Sequence, residues 1–408
     1  MGKRMLVIGL VWPEPTSSAA GWRIIQIMQL FIQQGFELHF CSAASKSEFS
    51  FPLENLGIKE QVIQLNDASF NKYVEELKPD YVLFDRFMIE EQYSWRVKEV
   101  CPQAIRILDT EDLHFLRQAR QDAYKKNLEF TQEMLYSDLA SREIASILRS
   151  DLSLIISTYE MNLLTEQFHI SPSLLCYLPF QFEAATASKK LGFEERQNFV
   201  FIGNFIHEPN WRTVVELKRL WPSIRKRLGK VELHIYGAYP TQKVWDLNKP
   251  AEGFMVKGRA EDAKETLGRY RVLLAPIPFG AGLKGKFVDA FSVGTPSVSS
   301  QVATEGMMRD EHEWPGFIYD TDEDFLYKVV QLYQDENTWL NAHTQCENKL
   351  NSWRKDDQSE VFLKRLQEIA PVLQQNRNRN FIGQILWNNQ FASSKYMSLW
   401  IEAKQKVL

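Results

Sequence analysis

Three glycines, two lysines and an aspartate crowd into Gly280-Ala281-Gly282-Leu283-Lys284-Gly285-Lys286-Phe287-Val288-Asp289, directly after the apolar run Val272 to Ala275. Gly280 and Gly282 let backbone N–H groups approach an anion closely, a helix opening there adds positive potential, and Lys284 and Lys286 add mobile positive charge. The chemistry such a loop offers is the cradling of a diphosphate. It matches neither GxxxxGKS/T nor GxGxxG, so P-loop and dinucleotide patterns are absent. A flexible loop with solvated lysines is the structural alternative. Gly294 to Ser300 and then Ala303-Thr304-Glu305-Gly306-Met307 follow at once, bringing Glu305 and a second glycine-bearing loop to the same edge. Ligands of open α/β sheets bind at the carboxyl ends of strands, so both loops should face one crevice.

Two further clusters carry polar chemistry. Asp109-Thr110-Glu111-Asp112-Leu113-His114 follows the apolar run Ile105 to Leu108, and Gly203-Asn204-Phe205-Ile206-His207-Glu208-Pro209-Asn210 follows Phe199 to Ile202. His114 reads either as a site residue or as a structural histidine packed beside a strand end. His207 and Asn210 read equally as ligand contacts or as residues that shape a loop.

The elements that must position these residues alternate. The apolar start, Met5 to Trp12, reads as a first buried strand, followed by a Pro/Ser/Gly loop, an amphipathic stretch Trp22 to Gln34, and a second run Glu37 to Cys41. Runs at Tyr81 to Phe84, Ile105 to Leu108 and Leu154 to Ser157 continue the pattern of a parallel sheet flanked by helices. After a weakly patterned polar segment, Gln181 to Gln197, the alternation restarts with Phe199 to Ile202, Val231 to Tyr236, Val272 to Ala275, Ser297 to Ser299 and Phe317 to Tyr319. Helix-like stretches at Trp211 to Leu228, Lys286 to Val293 and Asp324 to Gln334 separate these runs. The expected architecture is α/β: two Rossmann-like domains, 1–182 and 183–380, facing a central cleft. The tail 381–408 is apolar after a polar break and carries Ile385, Leu386, Trp387, Phe391, Met397, Leu399 and Trp400. It is expected to form a helix that crosses back to the first domain.

With these residues in place the chain resembles GT-B glycosyltransferases of the family 4, or group 1, type. The stretch from Pro276 to Gly306 is similar to their donor-binding segment, GaGxKgKvxEa…GxPvVxT…aEG, and residues 201–210 are similar to FvGxfxHxPN. Leu108 to Arg117 resembles DxxDxHxxR, and the likeness covers roughly residues 1–335. It implies that Lys286 and Lys284 neutralise a nucleotide-sugar diphosphate while Gly280 and Gly282 admit its oxygens. It implies that Asp289 receives the ribose hydroxyls, and that Gly203, Asn204, Arg259 and Glu305 complete the donor pocket. His114 and Asp112 would face the pocket as the catalytic pair. The pattern departs from EX7E: Asp289 replaces the second Glu and Ala281 the first, which leaves open the group that contacts the donor sugar. Retention of anomeric configuration is implied by the resemblance alone.

Composition narrows the classes. At 408 residues, 44% hydrophobic and 25% charged, the chain is that of an ordinary two-domain globular protein. A net charge of −4 gives no overall pull toward nucleic acid, and Arg225-Lys226-Arg227 reads as a solvated helix face. Four scattered cysteines suggest neither zinc nor disulfides and fit a cytoplasmic setting. No apolar stretch spans a bilayer, so membrane contact is expected only as peripheral contact at the inner face. Asp320-Thr321-Asp322 imitates a metal-binding DxD but reads better as a helix cap, so no metal or other cofactor is expected beyond the nucleotide-sugar donor substrate. The acceptor, whether carbohydrate, lipid-linked or protein, is not encoded in any motif. Competing readings are a nucleotide-sugar epimerase on the same scaffold and a noncatalytic nucleotide-sugar-binding partner protein, the latter motivated by Ala281.

Overall fold

The computed structural model describes residues 2–182, 190–308 and 311–405, without the side chains of 311, 389–392 and 394. The expected domain boundary at 182/183 therefore meets 183–189, outside the described residues, as does the Phe391 side chain of the tail.

The first domain runs β1 (Arg4–Ile8), α1 (Ala19–Gln33), β2 (Glu37–Ser42), β3 (Lys59–Val62), α2 (Ser69–Leu77), β4 (Tyr81–Asp85) and α3 (Phe87–Val100). It continues through β5 (Ile105–Asp109), α4 (His114–Lys126), α5 (Asp138–Arg149), β6 (Leu152–Ile155), α6 (Thr158–Asn162) and β7 (Leu175–Tyr177). Its strands pair in parallel in the order β3-β2-β1-β4-β5-β6-β7. Burial on both faces explains why β1, β4 and β5 are near-continuous apolar runs rather than alternating ones.

The second domain runs β8 (Gln197–Ile202), α7 (Glu208–Leu228), β9 (Leu233–Tyr236), α8 (Gln242–Trp245), β10 (Phe254–Gly258), α9 (Ala263–Gly268) and β11 (Tyr270–Ala275). Then come α10 (Gly285–Ser292), β12 (Ser297–Ser300), α11 (Gln301–Thr304), β13 (Gly316–Tyr319), α12 (Asp322–Gln334) and α13 (Glu336–Lys355). Its parallel order is β10-β9-β8-β11-β12-β13. In each sheet the order reverses beside the first strand, and this switch point opens the crevice at the strand ends.

Three differences from the sequence reading have local causes. The first strand ends at Ile8 rather than Trp12, because the chain turns at Gly9, where a Cβ would lie 2.2 Å from the Phe40 ring. The run Leu154 to Ser157 is strand only to Ile155, since Ser157 caps α6 by accepting from the Glu160 N–H at 3.2 Å. Strands β3, β7 and β10 lie outside the runs read as strands; β3 is a mostly exposed Lys-Glu-Gln-Val and β7 has only three residues.

After α13 come α14 (Ser359–Ile369), α15 (Leu373–Arg379) and α16 (Phe381–Gln405). The return to the first domain begins at α14, not at 381: Phe362, Leu366, Ile369 and Leu373 join the core formed by α1 and the first sheet, with Phe362 edge-on to Phe31 at 5.8 Å. A short amphipathic helix can cover either domain, and only packing selects the one whose sheet face is uncovered. Arg377 then fastens α15 to Asp151 at 2.8 and 2.7 Å. Trp387 of α16 is buried under the Arg106 guanidinium, 4.2 Å from the ring, and donates to the Arg149 carbonyl. The second half of α16 turns Ser398 and Glu402 inward to Arg96 and presents Tyr396, Met397, Leu399 and Trp400 outward. No described helix is long and apolar enough to cross a membrane.

Candidate donor site

The loop after β11 reaches the cleft and α10 starts at Gly285, so the backbone N–H groups of its first turn point toward the loop. Gly282 holds φ +62°, a conformation that favours glycine, and a Cβ there would stand 2.8 Å from Asp112 Cβ. Lys284 is half-buried and donates to the Gly282 carbonyl at 2.9 Å. Lys286 donates to Asn210 Oδ1 at 2.7 Å and lies 4.4 Å from the Phe201 ring centroid. Burial lowers Lys284 to about 8 despite the opposing Glu305 charge, and burial together with Lys284 lowers Lys286 to about 7. Burial disfavours the charge on both lysines, and an anion beside them would favour it again.

Around them stand the other residues read from the sequence. Gly203 packs against Asn210, whose side chain donates to the Asn204 carbonyl at 2.9 Å. Asn204 Oδ1 accepts from the Ile206 N–H, so Asn204 and Asn210 brace the loop that presents Asn210 to Lys286. Asp289, one helical turn after Lys286, is pushed up to about 6, burial being opposed by Lys264. Arg259 donates to Thr16 Oγ1 at 2.7 Å and stacks 4.0 Å from the Phe49 ring, both in the first domain. Glu305 is held by Arg120 of α4 through two 2.8 Å contacts, and Arg120 also donates to the Gly280 carbonyl at 2.8 Å. Glu305 therefore meets a first-domain arginine.

On the facing side, Asp112 and His114 sit at the carboxyl end of β5 and the start of α4. Asp112 pairs with Arg117, and although burial opposes it, that charge holds the carboxyl below its usual range. His114 packs edge-on to Phe87 at 5.5 Å, and burial lowers it to about 3, so it is a neutral imidazole near pH 7. Glu143 of α5 caps α4 by accepting from the N–H groups of His114 and Phe115 at 3.1 and 2.9 Å.

The loop and the first domain meet directly: Asp112 crowds the Cβ position of Gly282, and His114 Nε2 lies 3.4 Å from Asp112 Oδ1, while Arg259 makes its own contact with the first domain at Thr16. Sequence reasoning missed Arg120, Glu160, Arg86 and Glu111. Arg86 directly follows β4 and Glu111 lies two residues past β5, at φ +74° and +63°, conformations that cost non-glycine residues about 1–3 kcal/mol and cluster at ligand sites. No sequence signal marks them, because neither residue type advertises a left-handed backbone. The Asp320-Thr321-Asp322 stretch caps α12 as expected, with Thr321 Oγ1 accepting from the Asp324 N–H.

Residues 196–335, nearly all of the second sheet and its helices, match the family model described as glycosyl transferases group 1. No curated protein matches the chain. Solved structures share its fold: TarM at TM-score 0.68, with 8% identity over 91% of this chain and 99% of that one. The Anabaena protein Alr3699/HepE in complex with UDP and glucose aligns at TM-score 0.62, with 13% identity over 91% of this chain and 100% of that one. A point mutant of S. aureus TarM, in complex with Fondaparinux, alpha-GlcNAc-glycerol and UDP, aligns at TM-score 0.55, with 11% identity over 74% of this chain. The chain spans 58% of that mutant's length. Residues 196–335, which carry the paired lysines, are thus similar to the glycosyl transferases group 1 model, and the two parallel-sheet domains together share the fold of TarM and Alr3699/HepE.

Proposed function

We propose that the protein is a group 1 glycosyltransferase that uses a UDP-sugar as donor and transfers the sugar to an acceptor received by the first domain, retaining anomeric configuration and requiring no metal. The observation that carries the reading is the pair Lys284 and Lys286 at the opening of α10, both depressed in pKa by burial, with Lys284 within reach of the Asp112 charge and Lys286 bonded to Asn210. Heterolysis of the bond between the anomeric carbon and the diphosphate leaves negative charge on the departing oxygen. Lys286, Lys284 and the first-turn N–H groups of α10 are placed to take that charge without reorganising. Gly280 and Gly282 admit the phosphate oxygens, and Asp289 accepts from the ribose hydroxyls. Gly203, Asn204, Arg259 and Glu305 shape the surrounding pocket, directly or through Asn210 and Arg120. UDP or UDP-glucose occupies Alr3699/HepE, a protein of the same fold, which supports uracil as the base.

The acceptor is carbohydrate, lipid-linked or protein. Peripheral membrane contact has one specific support: seven of the eighteen exposed large hydrophobics of the described residues lie on α16. Interfacial aromatics beside a basic residue, here Trp400 with Lys404 4.2 Å from its ring, suit a lipid headgroup layer.

The test is calorimetric titration with UDP, GDP, ADP, TDP and their sugar conjugates, followed by nucleotide release with and without acceptor mixtures. Preferential UDP binding and acceptor-dependent UDP release are expected. Interconversion of the conjugates without release would favour an epimerase, and binding without turnover a noncatalytic partner.

A further inference from the structure

The donor loop lacks a carboxylate at Ala281, the first position of the EX7E pattern, and the structure brings one there from the other domain. Glu160 of α6 is fully buried, and its Oε1 accepts from the Gly282 N–H at 2.9 Å and from the Leu113 N–H at 3.0 Å. Its Oε2 is buried and has no hydrogen-bond partner. Asp112 Oδ1 is likewise buried and without one: Arg117 pairs with the other oxygen, and His114 Nε2, 3.4 Å away, belongs to an imidazole that is neutral near pH 7. Both carboxylates touch the same short stretch, since Asp112 Cβ crowds the Cβ position of Gly282.

A buried acceptor left unpaired is destabilising, and two in one spot call for donors. Phosphate oxygens cannot supply them, whereas sugar hydroxyls can. The arrangement is also not what the local sequence would produce alone. Ser157-Thr158-Tyr159-Glu160 is a capping-box sequence in which the glutamate normally reaches back to the Ser157 N–H. Here its carboxylate is committed to Leu113 and Gly282 instead.

We propose that Glu160 supplies, from the first domain, the carboxylate absent at Ala281, and that its Oε2 together with Asp112 Oδ1 receives hydroxyl hydrogens of the donor's sugar. The inference rests on the donor-site reading above. Because Glu160 and Gly282 belong to different domains, this sugar subsite exists only when the domains close on the loop.

The test compares UDP with UDP-glucose, UDP-N-acetylglucosamine and UDP-galactose by calorimetry in the unaltered chain, Glu160→Gln, Glu160→Ala, and Glu160→Ala combined with Ala281→Glu. The expected result is UDP affinity within two-fold throughout, the preferred UDP-sugar weakened about ten-fold by either single change, and recovery in the double variant. Glu160→Gln keeps an acceptor for both N–H groups, so it remains informative if Glu160→Ala does not fold. Equal losses for UDP and UDP-sugar, or no loss for either, overturn the proposal and leave the diphosphate site standing. No UDP binding by the unaltered chain overturns the diphosphate site and this subsite together.

Discussion

At the scale of single residues, Lys286 carries the sharpest expectations. Its ammonium is held at about 7 by burial and by Lys284, well below the ordinary lysine value of 10.5. A bound diphosphate favours the protonated form, so binding above pH 7 must take up a proton. UDP affinity should therefore fall as pH rises from 7 to 9, by at most about ten-fold per pH unit. Lys286→Arg, always charged, should flatten that profile in calorimetry, whereas a pH-independent affinity of the unaltered chain would dismiss the lysine's role. Without ligand the sign is opposite. A lysine whose folded pKa is depressed weakens the fold while protonation is forced on it, a penalty relieved as pH climbs above 7. In thermal denaturation, UDP at 100 times its dissociation constant should stabilise the chain by about 2.7 kcal/mol, and Lys286→Ala should erase that gain.

Elements set how precisely those residues meet. The loop after β11 relies on Gly282, and Gly306 plays the matching role in the loop after α11, where φ is +73° and a Cβ would stand 2.8 Å from Ser157 Cβ. Gly282→Ala and Gly306→Ala each combine a left-handed backbone with a clash across the cleft. Each should cost about 1–3 kcal/mol of stability, read from denaturant midpoints, together with a weakening of UDP binding. A change in midpoint without loss of UDP binding would mean the loops are not held against the first domain. Ser157→Ala removes the α6 cap, worth about 1 kcal/mol, and should loosen Glu160 with it.

For the whole molecule, the question is what keeps two sheets facing. Arg120 spans the cleft to Glu305 and the Gly280 carbonyl, Tyr239 donates to Glu14, and Arg259 bonds Thr16. Arg120 is buried, and an arginine held by a carboxylate and a carbonyl is worth about 2 kcal/mol or more. Arg120→Ala should leave each domain folded yet enlarge the radius of gyration in small-angle scattering, with UDP compacting it again; an unchanged radius would place the closing force elsewhere. At the opposite end, Met397→Gln with Trp400→Gln should reduce co-sedimentation with anionic phospholipid vesicles several-fold without shifting the thermal transition, because both side chains are exposed.

Chemistry confined to one stretch of chain was legible in the sequence by itself. Alternating apolar runs declared two α/β units, because buried parallel strands need continuous hydrophobic residues, and the glycines and lysines of Gly280 to Asp289, on which the proposed anion cradle rests, could be read together because they are neighbours along the chain. The tertiary structure alone decided what crosses between segments. That Glu160 meets Gly282 beside Ala281 and that Arg120 meets Glu305 follows from contacts between residues 122 and 185 positions apart, for which no local pattern exists. The assignment of α14 to the first domain is of the same kind: Phe362 is as apolar as any core residue, and only the open face beside Phe31 decides where it is buried.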